Sequence, residues 1–193
     1  MIKVILASQS PRRKDLMPMI TGKFSCVAPK IEETLNPDLS PEEAAMDLAE
    51  RKAKSVMHKK LNPKHLVLGC DTIIVLDDEI FGKPKDLDDA RRMLKKLQGR
   101  THRVITGCAF VNQYGSEKFY DESKVKITGL TDYSISQYFR FADPLDYCGG
   151  YALQQVQYNI VESYEGSPFN IVGLPVEVIS ERYAVRVDKR RKV

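Results

Sequence analysis

Apolar residues fall into two rhythms along this chain. Residues 2–7 form a short, β-branched run, the pattern of a buried strand. Ser8-Gln9-Ser10 interrupts it, and Pro11 suits the first turn of a helix capped by Ser10. The chain therefore opens as strand, polar loop, helix. Residues 24–28 read as a second strand. Ser40-Pro41-Glu42-Glu43 is a capping box with proline at the first helical position. Behind it Ala45, Leu48, Ala49, Ala53, Val56 and Met57 recur at helical spacing and make one face apolar. Residues 66–76 are apolar and β-branched except at Gly69-Cys70-Asp71-Thr72. Residues 88–97 predict an amphipathic helix that ends near Gly99. Residues 104–111 and 124–128 predict strands, 131–141 a helix capped by Thr131, 156–162 a strand and 175–183 a last helix. Strands and helices mingle without strict alternation. The expected fold is therefore α/β, a mixed twisted sheet with flanking helices rather than a purely parallel one.

Composition narrows the class. With 193 residues, 42% hydrophobic and 29% charged, the chain can bury a real core, and disorder is not the default. The net charge of +4 would suggest a polyanion partner, but its location argues otherwise. Arg186, Lys189, Arg190, Arg191 and Lys192, set against Asp188, account for all of it. The expectation is a single domain over residues 1–185, with residues 186–193 a basic, disordered tail. Nucleic acid is not the expected partner. Cys26, Cys70, Cys108 and Cys148 form no C-x-x-C pair and sit in mostly apolar segments, as buried reduced thiols do. A reducing, cytoplasmic compartment follows. No apolar run is long enough for a signal peptide or a membrane span. The P-loop and dinucleotide glycine patterns, H-E-x-x-H and G-x-S-x-G are all missing. His58, His65 and His102 are scattered and suggest no metal cluster.

Four places carry candidate chemistry. In Ser8-Gln9-Ser10-Pro11-Arg12-Arg13, a helix start offers free N–H groups, and two guanidinium forks suit phosphate oxygens. A plain capped helix with two solvated arginines fits the same residues. Asp71 interrupts an apolar strand, where a carboxylate needs a partner or a metal. It reads as a general base or a divalent-ion ligand, against a structural aspartate bonding a turn. Lys83 in Gly82-Lys83-Pro84 and the carboxylates of Glu32-Glu33 could serve a phosphate and a metal, or be ordinary exposed charges. Lys52 adjoins the apolar face of its helix, where it can snorkel or point into a site. The stretch Glu165-Gly166-Ser167-Pro168-Phe169-Asn170-Ile171-Val172-Gly173-Leu174-Pro175 specifies a shaped loop, but its residue types assign it no role.

Taken in order, these segments resemble the Maf family of nucleotide pyrophosphatases. The resemblance runs through Leu6-Ala7-Ser8-Gln9-Ser10-Pro11-Arg12-Arg13, Ile31-Glu32-Glu33, Leu48-Ala49-Glu50-Arg51-Lys52-Ala53 and Gly69-Cys70-Asp71-Thr72. It continues through Gly82-Lys83-Pro84, Gly99-Arg100-Thr101-His102-Arg103-Val104-Ile105-Thr106-Gly107, Pro144-Leu145-Asp146, Gly150-Tyr151-Ala152-Leu153-Gln154, and Gly166-Ser167-Pro168 through Gly173-Leu174-Pro175. It implies two lobes around a central cleft, similar to the inosine triphosphate pyrophosphatases, and metal-dependent hydrolysis between the α and β phosphates. It also implies Asp71 as proton acceptor, with Glu33 and Asp71 holding a divalent cation, magnesium or manganese. Ser8, Arg12, Arg13, Lys52 and Lys83 would meet phosphates. Arg12, Thr72 and Gln154 match the branch similar to hydrolases of dTTP and UTP, and a glutamine amide can pair with a pyrimidine edge. The changes at Tyr147-Cys148-Gly149 and Gln155, where the family favours lysine-alanine-glycine and glycine, bear on substrate choice rather than reaction type. Pyrophosphatases of 7-methyl-GTP or other purine triphosphates, and a catalytically silent nucleotide-binding regulator of cell division, are the alternatives. A homodimer is a further implication of the resemblance.

Overall fold

In a computed structural model, residues 2–57, 64–155 and 157–191 are described, and His58 and Val156 lie outside them. The N-terminal strand β1 (Lys3–Ala7) leads into the short helix α1 (Pro11–Leu16) and strand β2 (Phe24–Val27). Helix α2 (Pro41–Val56) precedes the long strand β3 (His65–Leu76) and the short β4 (Glu79–Phe81). Then come α3 (Leu87–Leu97), β5 (Thr101–Asn112), β6 (Gly115–Ile127) and α4 (Asp132–Phe141). Strand β7 (Val161–Glu165), α5 (Pro168–Val172) and α6 (Val176–Arg191) close the chain. Among the described residues the sheet has seven strands in the order β2-β1-β3-β5-β6-β7, with β4 pairing β3. It is mixed, as expected: β2 and β3 flank β1 in parallel, while β3–β4 and β6–β7 are antiparallel.

Local rules explain the punctuation. Ser40 and Glu43 close both halves of the capping box, and Thr131 caps α4 through the amide of Ser134. Asp86 caps α3, accepting from Asp89 N at 2.8 Å. Asp77 and Asp78 both have positive φ (49° and 64°). Leu76 pairs with Glu79 across them, so β3 and β4 are joined by the two-residue turn whose backbone matches sheet twist.

The chain divides into two compact units. The first comprises residues 1–71, 106–121 and 173–193, the second residues 72–105 and 122–172. In the first unit Ile5, Ala7, Val67, Ala109 and Val111 of the strands meet Ala49, Ala53 and Val56 of α2. In the second, Ile74, Phe81, Met93, Leu94, Leu97, Val125, Ile135 and Tyr138 form the core. Each large aliphatic side chain fully buried there contributes about 1.5–3 kcal/mol of transfer free energy.

Four expectations change. Strand β6 begins at Gly115 rather than near residue 124; only Phe119, Val125 and Ile127 of its apolar positions are buried among many charges, so its apolar pattern understates its length. Strand β7 starts at Val161, five residues later than expected. Asn159 Oδ1 accepts from Val161 N at 2.9 Å, and this local turn competes with earlier pairing. Helix α6 continues to Arg191 rather than stopping near residue 183. Arg182 lies over the Phe119 ring (4.6 Å to the centroid) and Arg186 over Phe110 (5.2 Å), and both pair with Glu117. One i,i+4 pair of cations thus anchors the helix where the basic tail begins. Cys26 is exposed on the edge strand β2, whereas Cys70 and Cys108 are buried with their sulfurs 3.6 Å apart. Among the described residues no helix is long and apolar enough to cross a membrane.

Candidate active site

In the first unit the parallel strands β1 and β2 end side by side, against the middle of β3. Ala7 of β1 is in register with Val27 of β2 and Gly69 of β3. Just past these points lie Ser8, the Glu32-Glu33 loop and Asp71. The carboxyl ends of parallel strands are where such sheets commonly bind ligands.

Helix α2 supplies the fourth component, and two glycines let it approach. A Cβ on Gly69 would stand 2.0 Å from the Ala49 carbonyl oxygen, and one on Gly107 2.3 Å from the Ala45 carbonyl carbon. Only the bare backbone fits under the helix. Lys52 shares the core-facing stripe with Leu48, Ala49 and Val56, so its side chain is buried at 5% exposure. Its ammonium donates to Asp71 Oδ1 at 2.7 Å and to Glu33 Oε2 at 2.8 Å. Asp71 is nearly as buried, at 10%, while Glu33 is open at 59%. A cation thus sits between one buried and one accessible carboxylate.

Other side chains hold this arrangement. Arg13 donates from Nε to the Gly173 carbonyl at 2.7 Å and from Nη1 to the Cys70 carbonyl at 2.9 Å. It therefore fixes the main chain one residue before Asp71. These two donors of a residue expected at phosphate serve main-chain carbonyls. Arg51 was not singled out by sequence reasoning. It donates to the carbonyls of Glu32 (3.2 Å) and Thr34 and to Asp47 Oδ2 (2.8 Å). It straps the loop on both sides of Glu33 to α2, next to Lys52. Ser8 is buried, and its Oγ accepts from Ser10 N at 3.1 Å. Arg12 is half-buried. The neighbouring Cys108 thiol is held well above its ordinary pKa, first by burial and then by the Cys70 sulfur.

The second unit assembles the other motifs. Lys83 Nζ pairs with Asp146 Oδ1 at 2.7 Å, both partly exposed. Gly149 N donates to the Gly82 carbonyl at 3.0 Å, and Cys148 Sγ to the Thr72 carbonyl at 3.0 Å. Thr72 is half-buried and Gln154 exposed.

Asp71 and Glu33 offer hard carboxylate oxygens. Among the described residues no group of three or more His, Cys, Asp or Glu could enclose a metal. Two carboxylates fit an ion that completes its shell with phosphate oxygens and water, as magnesium and manganese do.

The sequence profile described as Maf-like protein matches residues 3–183. The chain belongs to the Maf family. This Maf chain is 40% identical over 176 residues to a Bacillus pumilus protein named dTTP/UTP pyrophosphatase, covering 91% of this chain and 92% of that one. It is also 40% identical over 194 residues to a Thermoanaerobacter protein of the same name, covering 96% and 100%. Among solved structures, the Staphylococcus aureus Ham1 protein aligns over 65% of this Maf chain and 72% of its own. The TM-score is 0.46 at 15% identity, too slight a likeness to support an argument.

Proposed function

We propose that this Maf protein hydrolyses dTTP and UTP, with modified forms of these, to the nucleoside monophosphate and pyrophosphate. The observation that carries the reading is the Lys52 ammonium bridging Glu33 and Asp71, beside the ends of β1 and β2. Asp71 accepts the proton of a water whose oxygen bonds to the α-phosphorus as the bond to the bridging oxygen breaks and pyrophosphate leaves. Lys52 orients Asp71 and offsets phosphate charge, and Ser8 and Arg12 add donors. Arg13 fixes the main chain one residue before Asp71 and is also a proposed phosphate contact. A magnesium or manganese ion held by Asp71 and Glu33 would supply charge neutralisation on the phosphate oxygens. Lys83 is a further proposed phosphate contact, and Arg12, Thr72 and Gln154 are the proposed base-selecting residues. The same reading has the protein at work in the cytoplasm as a homodimer, without a membrane or nucleic acid.

The test is pyrophosphate release from a panel of canonical and methylated triphosphates, with magnesium, manganese or chelator. Metal-dependent turnover should be strongest with dTTP and UTP, and Asp71→Asn should abolish it while leaving thermal unfolding cooperative. A preference for 7-methyl-GTP or another purine would overturn the substrate but keep the reaction. Nucleotide binding without pyrophosphate release would overturn both in favour of a silent regulator.

A further inference from the structure

Gln154 lies in a turn of the second unit that is tied down on every side. The Ala152 amide donates to the Tyr138 hydroxyl at 2.8 Å. Gln155 Nε2 donates to the Phe141 carbonyl at 2.6 Å. Just before it, Gly149 and Gly150 take positive φ (68° and 76°), and a Cβ on Gly149 would crowd Ile74 at 2.6 Å and Leu97 at 3.1 Å. Gln154 itself is exposed, and its amide has no partner among the described residues.

Beneath this turn Tyr151 is buried, with its hydroxyl 2.6 Å from His102 Nε2 and the two rings edge to face at 5.4 Å. His102 is only 2% exposed, and its Nδ1 is a buried polar atom without a partner among the described residues. A phenylalanine would fill this space without that unsatisfied atom. The imidazole is therefore a costly choice for packing alone, and what it adds is the bond to Tyr151. Burial lowers its pKa to about 4, so it is neutral near pH 7. Burial also raises the Tyr151 phenol well above its ordinary value, so the bond joins two neutral groups. It adds direction without adding charge near the base reader.

We propose that His102, acting through the Tyr151 hydroxyl, is a positioning residue for base selection by Gln154. A glutamine amide reads a pyrimidine edge with one donor and one acceptor, and both must be aligned at once. A turn free to rotate would lose that alignment. This proposal rests on the assignment of base selection to Gln154.

Tyr151→Phe removes one hydroxyl and keeps the ring. It should raise KM for dTTP and UTP roughly 3–10-fold, the range of one lost hydrogen bond, with kcat within about twofold. Amides of residues 151–155 should exchange faster with solvent. His102→Phe should act alike, the double variant should be no worse than either single, and His102→Gln should restore part of the loss. Gln154→Ala should raise KM at least as much and erase the effect of Tyr151→Phe. If Gln154→Ala raises KM and Tyr151→Phe does not, the positioning role falls and the reading of Gln154 stands. If Gln154→Ala leaves KM unchanged, that reading falls and takes the proposal with it, whatever the exchange rates. A matched fall in kcat with a lowered Tm in Tyr151→Phe would mean a structural role only and would also overturn it.

Discussion

Gly69→Ala tests whether helix packing sets the site. Gly69 lies on β3 two residues before Asp71, and its missing Cβ would stand 2.0 Å from the Ala49 carbonyl oxygen and 3.0 Å from Ala53 N and Cβ. Carbon and carbonyl oxygen come to rest near ~3.3 Å, so the gap must open by roughly 1.3 Å. The obstacle is helix main chain, which has no rotamer to change. Helix α2 must therefore move off the strand, carrying Lys52 with it. The long lysine stem can recover one of its two carboxylate contacts by extension, but the 2.7 and 2.8 Å contacts diverge and both depend on the helix position. Overpacking of this kind costs about 1–3 kcal/mol. For a chain of this length that lowers Tm by roughly 2–4 °C per kcal/mol, about 6 °C at the middle of the range. A displacement of ~1 Å at reacting groups costs on the order of 100-fold in turnover. The assay pairs a thermal scan with kcat/KM for dTTP. Gly22→Ala is the control, because nothing lies within 4 Å of its added Cβ and its φ is outside the left-handed region. The reasoning fails if Gly69→Ala keeps the wild-type Tm, or if it loses stability yet turns over normally.

Other outcomes follow from the same contacts. Arg51→Ala frees the loop around Glu33, so the magnesium concentration for half-maximal rate should rise roughly 10-fold with kcat at saturating metal nearly kept; a metal titration reads this, and an unchanged midpoint refutes it. His102 has a folded pKa of about 4 against an ordinary 6.5. Below pH 6.5 the unfolded chain binds the proton and the folded one does not, so this stability is full above 6.5 and is lost as pH falls toward 4. The loss is about 1.6 kcal/mol between pH 6.5 and 5. His102→Phe should lack that slope in urea unfolding, and an equal slope would discount the buried imidazole. Arg186→Ala removes a Glu117 partner and a cation over Phe110, and should cost about 1 kcal/mol by urea unfolding; no change would mean the last turns of α6 add nothing.

Much of the first unit's centre was legible because its residues break their own pattern. Asp71 interrupts an apolar strand and Lys52 adjoins an apolar helix face, and each is a local inconsistency that tertiary structure must resolve. The structure resolves them against each other. Glu33 could be picked only by resemblance, since nothing in a polar loop distinguishes it from Glu32. Arg51 and Arg13 were harder for a different reason: their partners are main-chain carbonyls, and a carbonyl leaves no trace in residue type. The length of β6 was hidden because a strand with one face charged offers few apolar residues to count. The end of α6 was hidden because Arg182 and Arg186 look like solvent residues until Glu117, Phe110 and Phe119, far back in sequence, are brought beneath them.

The Lys52–Asp71 pair is poorly explained by stability. Removing two charges from water is costly, and buried pairs can often be replaced by apolar residues with no loss, or with a gain. Here apolar neighbours are already at hand, for Ala49, Ala53 and Val56 share the helix face and Val67 the strand face. Breaking the pair on one side is the damaging change, because it strands the other charge. The third member, Glu33, is open to solvent, so the group is not a sealed ion pair but a buried pair with one accessible arm. An arrangement built only to hold α2 against β3 would have no need of that arm, of Arg51 strapping its loop, or of Arg13 fixing the residue before Asp71. Those three features have in common the placement of oxygen and ammonium groups around Asp71, where a polyphosphate and its counter-ion would make use of them.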